Sequence, residues 1–110
     1  MKYILMGVTP GFSKLNQCPM WRITWYCVDD DSIWEMTVDE SYRNWDHWRP
    51  FVANPSWGVY SGLRRTRRYT REGVGVVSAD TRPQLVEPFQ DQDEAHDVIT
   101  QCNQYHEARS

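Results

Sequence analysis

Residues 20–28 read MWRITWYCV, and after the acidic stretch DDDS the chain continues as IWEMTV over residues 33–38. In both runs apolar residues alternate with polar ones, which places every second side chain on one face of a β-strand. Two such runs around a short acidic turn predict a β-hairpin. Its core face holds Trp21, Ile23, Trp25, Cys27, Trp34, Met36 and Val38. Three tryptophans on that face favour packing across the strands.

Further short runs bounded by turn residues predict additional strands. They cover residues 2–8, 57–63, 64–70, 74–79 and 84–89, and residues 11–19 between the first strand and the hairpin are expected to form a loop. Neighbouring strands joined by short turns pair antiparallel, so the sheet is expected to have four or five antiparallel strands.

Two segments have helical character. Residues 38–48 predict a short helix in the middle of the chain, which Asp39 caps and Pro50 ends. The second helix follows Asp91, which forms a variant of the capping box with Glu94. Its apolar stripe consists of Ala95, Val98, Ile99, Cys102 and Tyr105. We therefore predict a two-layer α+β fold in which the C-terminal helix packs on a small antiparallel sheet.

Length, composition and cysteine content limit the class of protein. The 110 residues predict one domain over 1–110, and 40% hydrophobic with 25% charged residues is ordinary globular composition. Cys18, Cys27 and Cys102 form an odd set without a CxxC pair, which favours a reducing compartment, the cytoplasm. No apolar run is long enough to span a membrane, so a membrane partner is not expected.

Motifs for catalysis or cofactor binding are missing from the sequence. It contains no GxxxxGK[ST], GxSxG or HExxH pattern. Cys102 and His106 are one helical turn apart, but two ligands do not complete a zinc site. Consecutive carboxylates at residues 29–31 splay apart in a turn. We assign no catalytic residue, no metal and no cofactor, and an enzyme is the less favoured class.

The charge distribution points to a binding function. Five of the eight residues over 64–71 are arginine, so that segment carries +5 from arginine while the rest of a chain of net charge −3 carries −8. As a strand this segment is polar on both faces, so it projects or lies at a sheet edge, where charge also discourages unwanted pairing. Arginine with nearby aromatic residues is typical of protein interfaces. The predicted partner-binding residues are Arg64, Arg65, Arg67, Arg68, Tyr69, Arg71 and Trp57.

Three other interpretations stay open. The arginines could grip the phosphates of RNA or single-stranded DNA while Tyr69 stacks on a base. The acidic C-terminal helix could neutralise them within the fold or across a homodimer. A pocket formed by Trp45, His47 and Trp48 could bind a nucleotide or another small molecule. Our leading hypothesis is a non-catalytic protein that binds another protein, such as a phage or mobile-element inhibitor or regulator.

Overall fold

The computed structural model describes residues 1–64 and 82–109. These form β1 (Lys2–Ser13), β2 (Cys18–Cys27), β3 (Ser32–Asp39), α1 (Trp45–Ala53), β4 (Gly58–Ser61), β5 (Gln84–Pro88) and α2 (Gln92–Arg109). The described strands make an antiparallel five-stranded sheet in the order β3-β2-β1-β4-β5. This is the α+β architecture expected from the sequence. The predicted strands over 64–70 and 74–79 lie outside the described residues, apart from Arg64.

The tryptophan-rich hairpin is confirmed. β2 and β3 pair with Trp25 opposite Trp34 and Ile23 opposite Met36. Trp25, Ile23 and Met36 are buried, and Trp34 packs against them. The alternation of the sequence therefore identifies the face that carries the larger core, because side chains two residues apart on a strand lie on the same face.

The first strand is longer than predicted. β1 continues to Ser13 and pairs with β2 as far as Cys18, so the expected loop over 11–19 is wrong except for the turn itself. Its outer half has β2 as its only described neighbour, because β4 pairs only with Lys2–Ile4. A proline is tolerated in a strand that is open on one side, which explains why Pro10 does not end β1.

The middle helix is displaced from its predicted position. Val38 and Asp39 belong to β3, where they pair with Trp21 and Met20, so α1 begins only at Trp45. Asp39 caps a turn instead of the helix, since its carboxylate accepts hydrogen bonds from the backbone N–H and the hydroxyl of Ser41. These bonds lower the pKa of Asp39 although its burial alone would raise it.

Pro50 lies inside α1 and does not end it. Proline removes one helical hydrogen bond and crowds the preceding turn, which is unfavourable in a helix interior. The buried side chains of Trp48, Phe51 and Val52 pack on the sheet and outweigh that cost. Tertiary packing thus decides where this helix lies.

The C-terminal helix begins as predicted. The Asp91 carboxylate accepts a hydrogen bond from the backbone N–H of Glu94 at 2.8 Å. The Glu94 carboxylate in turn accepts one from the N–H of Gln90 at 2.5 Å, one residue before the position of the standard capping box. Ala95 and Cys102 are buried, whereas Tyr105 is 48% exposed, so the apolar stripe ends earlier than expected. Neither described helix is long and apolar enough to cross a membrane.

The two helices cover opposite faces of the sheet, in contrast to the two layers expected from the sequence. The face covered by α1 carries a buried cluster with twelve described residues, which include Trp25, Trp48, Phe51 and Tyr60. The face covered by α2 carries a smaller cluster of Ile4, Tyr26 and Cys102. We call these surfaces the α1 face and the α2 face. Leu5 and Ile4 belong to different clusters because adjacent strand residues point to opposite faces.

Candidate functional site

The strand β5 is the most exposed element of the sheet. It lies at one edge, and all five of its residues are exposed. Leu85 is 40% and Val86 51% exposed, although both side chains are apolar. A short strand with an open edge presents backbone N–H and C=O groups that can pair with another chain. The described part of the molecule has no strand on the outer side of β5.

A close approach of two backbones fixes β5 in this position. Gly58 of β4 pairs with Pro88, and a Cβ atom at Gly58 would overlap the carbonyl oxygen of Glu87. Only glycine allows this contact. The register then shifts between Val59 and Tyr60, which leaves Val86 as the extra residue of a bulge.

The opposite edge of the sheet is different in character. β3 carries Glu35 and Asp39, and Glu35 forms an ion pair with Arg22 at 3.0 Å. Charged side chains along an edge strand discourage pairing with another chain. β5 also carries a carboxylate, Glu87, and a proline, Pro88, but all five of its residues are exposed, whereas most of β3 is half-buried.

Of the predicted arginine segment over 64–71, the structure describes Arg64. Arg64 follows β4 and is exposed, and Arg82 precedes β5 and is exposed as well. Both flank the segment 65–81 that joins the two strands. The other predicted partner-binding residues of the segment lie outside the described residues: Arg65, Arg67, Arg68, Tyr69 and Arg71.

A cavity of about 400 Å³ opens between α1 and β5. Its described wall consists of His47, Phe51, Ser56, Tyr60, Arg82, Pro83, Gln84 and Leu85. The Tyr60 hydroxyl donates a hydrogen bond to the carbonyl of Ser56. Burial raises the pKa of Tyr60, and the positive charge of Arg82 opposes that shift. The guanidinium of Arg82 therefore acts electrostatically on the inner wall of the cavity.

The predicted pocket residues are separated by the fold. His47 is exposed and lines the cavity, but neither Trp45 nor Trp48 belongs to its described wall. Trp48 is 0% exposed, and its indole N–H has no acceptor in the described part of the chain. Trp45 stacks on Trp21 with ring centroids 4.8 Å apart. Trp57 is partly buried and packs against the cluster of the α1 face.

A second, shallower cleft lies on the α2 face. Its volume is about 330 Å³, and its described wall consists of Tyr26, Val28, Asp31, Gln101, Cys102 and Tyr105. The Tyr26 hydroxyl donates a hydrogen bond to the Asp31 carboxylate. Burial, that bond and the Asp31 charge all raise the pKa of Tyr26. Burial and the same carboxylate raise the pKa of the Cys102 thiol, which disfavours the thiolate that a nucleophile needs.

Metal ligands do not cluster in the described part of the molecule. No group of three or more His, Cys, Asp or Glu side chains there could hold an ion. Cys102 is buried, while Nδ1 of His106 lies 3.2 Å from the backbone carbonyl of Asp31. The three cysteines have free thiols.

Sequence reasoning missed most of the cavity and the exposed edge. It selected His47, but not Phe51, Tyr60, Arg82 or Leu85. The signal available for Arg82 was its place two residues before the last strand, outside the arginine cluster over 64–71. Comparison with protein-family models, with curated proteins and with solved structures finds no match for this chain.

Proposed function

We propose that the protein binds another protein through the edge of β5 that has no described neighbour, and that the arginines over 64–71 and Arg82 supply the charged contacts. The observation that carries this proposal is the exposure of all five β5 residues, two of them large and apolar, at an edge without a described neighbour. An extended segment of the partner would add to the sheet beside β5. Its backbone would supply the hydrogen bonds, and its side chains would contact Val86.

The charge beside the edge selects the kind of partner. Arg82 is exposed just before β5, Arg64 is exposed after β4, and the sequence adds four more arginines between residues 65 and 71. An acidic segment would be steered towards this surface and oriented on it. We therefore infer an extended acidic segment as the bound element.

The biological role follows from size and chemistry. A chain of 110 residues without a catalytic motif suits an inhibitor or regulator of its partner, including one encoded by a phage. Three free thiols suit the cytoplasm as the compartment in which it acts.

Affinity purification from cell lysate, with and without nuclease, tests the proposal. The wild-type protein is compared with Val86→Asp and with a variant in which Arg64, Arg65, Arg67 and Arg68 are all changed to alanine. Leu15→Asp is the matched control, because Leu15 is apolar and 91% exposed at the tip of the β1–β2 hairpin. We expect a protein that survives nuclease treatment, is retained by the control, and is reduced at least about tenfold by each of the other variants.

Each other result overturns part of this proposal. Material that disappears with nuclease would identify RNA or single-stranded DNA as the partner. Retention by Val86→Asp would exclude the β5 edge, and retention by the arginine variant would exclude the charged contact. Self-association of the pure protein that Val86→Asp abolishes would identify a second copy as the occupant.

A further inference from the structure

The cavity between α1 and β5 has the size and the mixed walls of a small-molecule site. Ligand pockets commonly have volumes of roughly 300–1,000 Å³ and apolar walls with a few convergent polar groups. Here the volume is about 400 Å³. The apolar part of the wall is Phe51, Tyr60, Pro83 and Leu85, and the polar part is His47, Ser56, Arg82 and Gln84.

The ionisable charge around the cavity has one sign. Arg82 is permanently cationic, and His47 becomes cationic when it is protonated. The described wall contains no carboxylate. Within the described residues no carboxylate forms an ion pair with Arg82. A guanidinium in this situation favours an anion that can accept two parallel hydrogen bonds.

The aromatic part of the wall is held in place before any ligand binds. The rings of Phe51 and Tyr60 meet edge to face with centroids 6.0 Å apart. Trp25 supports both rings from the core, at 6.2 Å from Phe51 and 5.1 Å from Tyr60. The Tyr60 hydroxyl is fixed by its hydrogen bond to Ser56. A rigid wall of this kind loses little conformational freedom when a ring binds against it.

We propose that this cavity binds a small aromatic anion, a carboxylate or phosphate ester whose anionic group contacts Arg82 and whose ring packs against Phe51 and Leu85. His47 and Gln84 supply further donors around the anionic group. The site shares Arg82 and Leu85 with the proposed protein contact, whereas Val86 belongs to that contact and not to the described wall of the cavity.

Chemical-shift titrations of the full chain test the site with three probes that each carry one phenyl ring. Phenyl phosphate and phenylacetate carry the anion, and phenylacetamide is the neutral counterpart of phenylacetate. We expect saturable shifts at the wall residues with at least one anion, and binding of phenylacetamide at least about tenfold weaker than phenylacetate. Inorganic phosphate is expected to bind more weakly than phenyl phosphate, because it lacks the ring.

Variants separate this site from the protein contact. Arg82→Gln is expected to weaken anion binding at least about tenfold, whereas Arg64→Gln, an exposed arginine outside the described wall, changes it less than about twofold. Val86→Asp should leave anion binding unchanged even though it is designed to break the protein contact. The same spectra report whether each variant is folded.

Three results would overturn the proposal. The first is the lack of saturable chemical-shift changes with either anion at about 10 mM, a concentration far above the dissociation constant of an efficient small ligand. The second is equal binding of phenylacetate and phenylacetamide. The third is unchanged anion binding by a folded Arg82→Gln variant.

Discussion

The α1 face and the α2 face of the sheet are built from different side chains. On the α1 face, four aromatic rings from three elements contact one another, namely Trp25, Trp48, Phe51 and Tyr60. On the α2 face, the buried cluster has three members among the described residues, and of these Cys102 comes from the helix. Large apolar side chains contribute most when they are fully buried. We therefore expect the nine-residue α1 to stabilise the fold more than the 18-residue α2.

The two faces also differ in their relation to the cavity beside β5. The rings of the α1 face extend to its rim, where Phe51 and Tyr60 become walls of the cavity beside β5. The α2 face ends in a polar network that joins Tyr26 to Asp31 and brings His106 to the carbonyl of Asp31. A strongly packed core can therefore hold a binding site rigid, whereas a weakly packed helix leaves polar groups near water.

The largest expected effect is on the free energy of unfolding, and it is tested by one substitution in each helix. Phe51→Ala should reduce the free energy of unfolding by about 4 kcal/mol, because it removes a buried ring and leaves a space among its neighbours. Val98→Ala should reduce it by about 1 kcal/mol, because Val98 is only partly buried. Urea denaturation measures both differences. Equal losses would show that the α2 face stabilises the fold as much as the α1 face.

The next effect concerns the start of α2. Asp91→Ala removes the side chain that accepts the N–H of Glu94 and should cost about 1 kcal/mol. Asp97→Ala is the control, an exposed carboxylate further along the same helix, and should change stability by less than about 0.5 kcal/mol. Amide hydrogen exchange should locate the loss in α2, with the amides of β2 unaffected. Faster exchange in β2 would mean that α2 and the sheet open together.

The smallest expected effects are changes in the pKa of one buried tyrosine on each face. Besides burial, the Asp31 carboxylate raises the pKa of Tyr26, whereas Arg82 lowers that of Tyr60. Asp31→Asn should therefore lower the pKa of Tyr26, and Arg82→Gln should raise the pKa of Tyr60. Titration of the Cζ chemical shifts of the two rings measures both changes. Changes of the same sign in the two pKa values would contradict these assignments.

The raised pKa values of the same two tyrosines predict how the free energy of unfolding falls at alkaline pH. The folded protein favours the neutral phenols, so as the pH rises through about 10 the unfolded chain loses its protons first. This contribution to stability is complete below that pH and is lost as the pH rises towards the higher folded-state values. Tyr26→Phe should accordingly make the fall in stability above pH 10 less steep than in the wild type.

Sequence reasoning succeeded where a local pattern was sufficient. Alternation over 20–28 and 33–38 identified the hairpin and its core face, because the period of a strand is the same in any fold. Asp91 and Glu94 located the start of α2 for the same reason, since a cap is made within one turn. The expected order of a sheet with a short middle helix and a C-terminal helix is confirmed.

The predictions failed where a local signal competed with packing. Asp39 and Pro50 are ordinary signals for the start and end of a helix, but Asp39 pairs within the sheet and Pro50 lies inside α1. Two tryptophans were selected for a pocket, but Trp48 is buried and Trp45 stacks on Trp21. The rotation of α1 on the sheet decides both positions, and the sequence does not specify that rotation.

The sequence by itself determined the tryptophan hairpin, the capped C-terminal helix and the separation of arginine from acidic charge. These properties depend on residues that are near one another along the chain. Only the tertiary structure decided that β5 lies at an edge of the described sheet and that His47, Tyr60 and Arg82 share one cavity. The physical reason is that these three residues are brought together by α1 and by two paired strands, and no periodicity along the chain records such a contact.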